Sequence, residues 1–189
     1  MLPHDQIPKG PLTVEQFLAW CETVPGRFEL EQGEVVVMQA ERVIHARVKS
    51  AVQAALGAAI KHGHMGSSCE ALPDGLKVRT SKTSSFEPDA LVHCGPRLED
   101  DAVEVMAPVI VVEVTSPSTA LRDETVKVAG YFSVPSVHHY LIVVPKDRMV
   151  IHFGRQSADT WLTRIGVKGA LRLDPPGITV DVDSFFPPV

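Results

Sequence analysis

The residues of this chain best placed by type and spacing to do chemistry are two carboxylates on consecutive strand-like segments. In "PVIVVEVTSPST", Pro108 to Thr119, Glu113 stands among five Val and Ile residues. A run so rich in β-branched residues, bounded by Pro108 and by Ser116-Pro117, reads as a strand covered on both faces. An ionised carboxylate withdrawn from water without a partner costs several kcal/mol, so Glu113 must be paired, protonated or bound to a cation. A buried ion pair is the plain alternative to a functional carboxylate near the strand's end. In "EPDALVHCG", Asp89 follows Pro88 at the start of another apolar strand, and Glu87 and Asp89 share a face by period two. Taken alone, Asp89 reads as a turn residue. If the two strands pair, the carboxylates meet at one sheet edge, where like charges repel unless a cation lies between them.

Two carboxylates, a backbone carbonyl and several waters are how magnesium is usually held. Such an ion orients and acidifies a water and stabilises charge on a phosphoryl oxygen, as phosphodiester hydrolysis demands. A nearby ammonium would position the water and neutralise the pentavalent centre, so the sequence is expected to supply a lysine.

The elements that must position these groups follow from periodicity. "LTVEQFLAWCETV" spaces Val14, Phe17, Leu18 and Cys21 as a helix, with Thr13 as its N-cap. "RFELEQGEVVVM" reads as a hairpin turning near Gln32-Gly33. From Glu41 to His62 the pattern Val43, Ile44, Val48, Val52, Leu56, Ile60 predicts the longest amphipathic helix. "GLKVRT", "FEPDALVHC" and "APVIVVEV" are three strands expected to form the central sheet. "STALRDETVKVAGYF" then predicts a helix, "HHYLIVVPKDRMVIHFG" a hairpin turning at Pro145 to Arg148, and "DTWLTRI" and "GITVDV" further strands. The expectation is a single α+β domain over residues 1–189, a mixed central β-sheet flanked by helices, with an N-terminal helix and hairpin.

Composition narrows the setting. At 189 residues the chain can bury on the order of 70 % of its unfolded surface in one core. Cys21, Cys69 and Cys94 are odd in number and share no CxxC spacing, which predicts reduced thiols in a cytosolic protein. The first residues lack a secretory pattern, and no apolar run approaches the ~20 residues that span a bilayer. A formal charge of −5, from 18 basic and 23 acidic residues, argues against a protein that coats nucleic acid by charge alone.

Pro88-Asp89 and Glu113 resemble the pattern of the PD-(D/E)xK nucleases, in which Pro-Asp is followed by a strand carrying an acid, one residue and a lysine. The lysine position here is Thr115, on the same sheet face as Glu113 and about 7 Å along the strand. The replacement amine is Lys127 on the following helix, where Asp123, Lys127 and Tyr131 line one face. The competing reading is an exposed Asp123 to Lys127 ion pair. The ordered set "LTVEQFLAW…FELEQGEVVVM…H…PDALV…PVIVVEVTSPST…D…K…Y…V" is similar, over nearly the whole chain, to the bacterial restriction endonucleases of the Uma type, a branch in which the lysine has moved onto that helix.

That resemblance implies a restriction-endonuclease-like core, Asp89 and Glu113 as metal ligands for Mg2+ or Mn2+, the Val114 carbonyl as a third ligand, and Lys127 as the catalytic amine. Glu29 and His45 fall at family motif positions, as an outer-sphere acid and its orienting partner or as satisfied structural groups. The implied activity is hydrolysis of DNA phosphodiesters in the cytoplasm, with a two-fold dimer as the simplest way to cut both strands. The chain departs from the family at His139-Tyr140-Leu141, where Glu-Tyr-Trp is usual, and at Val144, where an aspartate is frequent; these positions are expected to lie outside the metal site. Two rival readings stay open: a nuclease fold that no longer cuts and binds nucleic acid or protein, and a hydrolase of small phosphate esters, which predicts a closed pocket. His62, His64 and Cys69 lack a fourth ligand for structural zinc, and His138 and His139 face opposite sides of a strand. No phosphate-cradling glycine motif and no SxxK pattern is present.

Overall fold

The structure, a computed structural model, describes residues 7–63, 68–115 and 120–187, the side chains of 120–124 excepted. Helix α1 (Val14–Cys21) is capped by Thr13, whose hydroxyl accepts from the Gln16 N–H while the Gln16 side chain accepts from the Thr13 N–H. Strands β1 (Phe28–Glu31) and β2 (Glu34–Val37) form the expected hairpin. Its turn places Gln32 at φ 51° and Gly33 at φ 89°, the pair of positive angles a two-residue turn needs. Helix α2 (Val43–His62) follows, then β3 (Cys69–Pro73), β4 (Val78–Ser81), β5 (Ser84–Phe86), β6 (Ala90–Cys94) and β7 (Pro108–Val114). Helix α3 (Ala120–Ser133) leads to β8 (His139–Val144), β9 (Met149–Arg155), β10 (Trp161–Gly166), β11 (Ala170–Leu173) and β12 (Ile178–Asp181).

The main sheet runs β10-β9-β8-β7-β6-β3, with β7 and β8 parallel and the other neighbours antiparallel. The parallel pair requires a crossover, and α3 lies in it. Both faces are covered. On one, the α2 stripe Val48, Val52, Leu56 and Ile60 packs with Val92, Ile110, Val112, Leu141 and the C-terminal Phe185. On the other, Tyr131 and Phe132 of α3 pack with Phe86, Leu91, Val111, Tyr140 and Ile142. Val43 and Ile44 stay exposed, so the apolar stripe of α2 meets the sheet only from Val48 onward.

Three expectations are corrected. The "GLKVRT" strand, β4, joins β2-β1-β5-β4 and not the central sheet, because β5 turns back on it and then hands its other edge to β1. The strands β3, β5 and β11 were not among those expected. Cys69 and Cys94 are joined in a disulfide rather than both reduced, leaving Cys21 free. The antiparallel register sets Cys69 directly opposite Cys94 with Cα atoms 4.0 Å apart, a proximity invisible once β3 goes unrecognised. The cysteine argument for a reducing compartment falls with it. No helix among the described residues is long and apolar enough to cross a membrane.

Candidate functional site

The antiparallel pairing of β6 with β7 sets Ala90 opposite Val112, and the Asp89 N–H continues the ladder to the Val112 carbonyl at 2.9 Å. Asp89 therefore begins its strand beside Glu113 near the end of β7. Its Oδ2 accepts from the Val114 N–H at 2.6 Å, which fixes the carboxylate against the strand end.

Glu113 faces α3. Its Oε1 accepts from Lys127 Nζ at 3.0 Å and from the Tyr131 hydroxyl at 2.7 Å. Lys127 and Tyr131 are i, i+4 on the helix, so one turn presents both donors to one carboxylate. Lys127 Nζ also donates to Glu29 Oε1 at 2.9 Å, and the same oxygen accepts from the Glu87 N–H at 2.9 Å. The small sheet, the large sheet and α3 thus each deliver a group to one point. The helix comes close enough because Gly130 has no side chain: a Cβ there would lie 2.7 Å from the Phe86 ring, over which the Lys127 ammonium also sits, 5.6 Å from the centroid.

All six expected residues, Glu29, His45, Asp89, Glu113, Val114 and Lys127, line one cavity of about 390 Å³, and Thr115 lines it too. Lys127 turns toward Glu113, and its side chain is only 20 % exposed; the Asp123 side chain of the competing ion pair, and residues 116–119, lie outside the described residues. The groups that hold Glu29 are Lys127 and the Glu87 N–H. Tyr140 lines the cavity and packs on Tyr131 with ring centroids 5.1 Å apart, so that part of the His139-Tyr140-Leu141 triplet does reach the site. His139 points to the other face of the sheet, where its Nδ1 lies 2.9 Å from His152 Nε2, both rings buried. Gly154, opposite His139 in the ladder, leaves the room in which the two rings meet. His64 lies outside the described residues.

Sequence reasoning missed Lys49. From the second turn of α2 its buried ammonium pairs with Asp89 Oδ1 at 2.9 Å, with Asp74 Oδ2 at 2.7 Å and with Glu41. The one available signal was its i, i+4 spacing from His45, which puts both on one helical face. Arg27 extends this network, bonding Asp74 at 2.7 Å and Glu87 at 2.6 Å.

The charges shape one another. Burial pushes the Glu113 carboxyl up to about 7; the Lys127 ammonium opposes this, while Asp89 and Glu29 add to it. Burial raises Asp89 as well, against the pull of Lys49. Burial works against the Lys127 ammonium, but Glu113 and Glu29 outweigh it and hold its pKa above the usual lysine value. Burial lifts the Tyr131 hydroxyl, which stays a donor.

Two carboxylates and the Val114 peptide oxygen on neighbouring strand ends are hard oxygen donors, of the kind that magnesium and manganese take. Among the described residues no group of three or more His, Cys, Asp or Glu side chains is placed to hold a metal ion. An ion here would rest on two side chains, the peptide oxygen and water.

Known proteins resemble this chain in sequence and in fold. The sequence pattern of the Uma2 family, described as "Putative restriction endonuclease", matches residues 14–182. An uncharacterised Synechocystis protein is 26 % identical over 189 residues, covering 98 % of this chain and 97 % of its own. The crystal structure of a "putative nuclease" of the DUF820 group from Anabaena variabilis superposes with a TM-score of 0.72 at 15 % identity, over 93 % of this chain and 97 % of that one. The likeness to that structure is one of fold and covers most of the chain.

Proposed function

The chain belongs to the Uma2 family, and from that premise we propose that it is a metal-dependent endonuclease that hydrolyses DNA phosphodiester bonds. The observation that carries the proposal is the convergence of Asp89, Glu113 and Lys127 on one cavity, with Lys127 Nζ 3.0 Å from Glu113.

In this reading Asp89, Glu113 and the Val114 carbonyl would hold Mg2+ or Mn2+. Such an ion lowers the pKa of a bound water and stabilises charge on the phosphoryl oxygens. The Val114 N–H keeps Asp89 aimed at the cavity. Tyr131 and Lys127 hold Glu113 from the side of α3. Lys127, reaching the site from the helix in place of Thr115, supplies a positive charge beside the attacking water and the pentavalent phosphorus. Glu29 anchors the ammonium from behind, as an outer-sphere acid. The substrate is duplex DNA, and a two-fold dimer would set two such sites on opposite strands.

One observation favours a second reading, a nuclease fold that binds nucleic acid or protein without cutting. Lys49 already neutralises Asp89 and Lys127 already neutralises Glu113. A cleavage assay on plasmid DNA separates the two: with Mg2+ or Mn2+ the wild type cuts, chelator abolishes cutting, and Glu113→Gln reduces it by about three orders of magnitude. Equal cutting by Glu113→Gln, or none by the wild type, defeats the nuclease proposal.

A further inference from the structure

This inference rests on the proposed metal site and deepens it. Lys49 is a second buried ammonium in the cavity, on the Asp89 side, where Lys127 serves the Glu113 side. It touches three carboxylates at once: Asp89 at 2.9 Å, Asp74 at 2.7 Å and Glu41. Only Asp89 among these is a proposed metal ligand; Asp74 follows β3 and Glu41 precedes α2. We propose that Lys49 is the resident cation of Asp89 in the metal-free protein and withdraws onto Asp74 and Glu41 when a divalent ion binds, so that the Glu41, Asp74 and Arg27 network sets the affinity of the metal site.

Three observations carry this. The Asp89 carboxylate does not need Lys49 to hold its direction, because Oδ2 is already fixed by the Val114 N–H at 2.6 Å. Removing Lys49 therefore removes a competing charge and leaves the ligand in place. The ammonium has somewhere to go, since Asp74 and Glu41 lie within its reach without any change of its helix. Those two acceptors are in turn shared with Arg27, which pairs with Asp74 at 2.7 Å and Glu41 at 3.3 Å, so their capacity to take up the Lys49 charge depends on the guanidinium.

The sign of each perturbation follows. A fixed positive charge a few ångströms from a divalent cation repels it by more than a tenfold factor at the effective dielectric of such sites. Withdrawal of Lys49 recovers part of that. Lys49→Met should thus tighten Mn2+ binding by about tenfold. Asp74→Asn, which takes away the main acceptor, should weaken it by about threefold to tenfold. In the Lys49→Met background, Asp74→Asn should change the affinity by less than about twofold, because there is no longer an ammonium for Asp74 to receive.

The test is a double-mutant cycle of Mn2+ affinity by isothermal calorimetry on the full chain, with thermal melts confirming that each variant folds. A merely structural Lys49 would loosen the site, so that Lys49→Met and Asp74→Asn would weaken binding alike. A diffuse field would make the two changes additive. Either result overturns the proposal. Should Lys49→Met fail to fold, Asp74→Asn alone decides: Asp74 has a 31 % exposed side chain on a loop, and unchanged Mn2+ affinity in that variant overturns the proposal as well. Absence of Mn2+ and Mg2+ binding in the wild type is a different outcome, which removes the metal reading itself and this inference with it.

Discussion

Replacing Lys127 by Met in the metal-free protein puts the migrated amine to a quantitative test. The ammonium lies 2.9 Å from Glu29 and 3.0 Å from Glu113, whose side chains are 10 % and 14 % exposed. At an effective dielectric near 20, one such contact is worth roughly 5 kcal/mol of gross attraction. Desolvation of the three groups offsets much of it, and breaking a buried pair from one side usually costs about 3–5 kcal/mol. Glu113 has an escape, because its carboxyl already sits at about 7 against an ordinary 4.5. A carboxyl raised on folding favours the folded state below its unfolded pKa, and this advantage is lost as pH rises through the folded value. Without Lys127 that folded value moves higher still, since the largest opposing influence on it is gone. The loss of stability should therefore be about 3 kcal/mol at pH 8.5 and fall to about 1 kcal/mol at pH 5, where Glu113 is protonated. Urea unfolding of wild type, Lys127→Met, Glu113→Gln and the double variant, in chelator at both pH values, measures it. The double variant should regain at least half of the loss at pH 8.5. A loss below about 0.5 kcal/mol that is the same at both pH values would mean that the ammonium is solvated, and the reasoning would fail.

Other outcomes follow from the same structure. Lys127→Ala should lower DNA cleavage by about two to four orders of magnitude while leaving Mn2+ affinity intact or improved, and Thr115→Lys in that background should restore part of the rate; cutting as fast as wild type refutes the assignment. Gly130→Ala should destabilise by about 1–3 kcal/mol, because its Cβ would meet the buried Phe86 ring at 2.7 Å, and thermal melts of Gly130→Ala against Ala129→Gly separate this from helix propensity. Burial and the neighbouring His152 and His138 hold His139 at about 4, and burial with the charge of Arg164 does the same for His152. Their neutral forms stabilise the fold above the unfolded value of 6.5, and that stability is lost as pH falls toward 4, by up to about 3 kcal/mol for each. The variant with both replaced by Leu should lose most of this acid slope in denaturation between pH 7 and pH 4.5.

What the sequence determined by itself was whatever a few neighbouring residues encode. The Thr13 cap, the Gln32-Gly33 turn with its two positive φ angles, the α2 stripe from Val48 to Ile60 and the doubly covered strand around Glu113 all rest on spacing within one element. So does the pairing of Asp89 with Glu113, because two consecutive apolar strands with a connecting loop have few ways to lie beside each other. The direction of Lys127 was decided elsewhere. Its partner Glu29 is 98 residues away, and the rotation that aims α3 at the site is fixed by Tyr131, Phe86 and the gap at Gly130. Lys49 met Asp89 only because α2 packs across the end of β6, and β4 left the central sheet because β5 joins it to β1. Cys69 found Cys94, and His139 found His152, through strand registers that no local period reports. Local spacing fixes which face of an element a side chain occupies, but the charge that waits across the gap is chosen by how the elements pack.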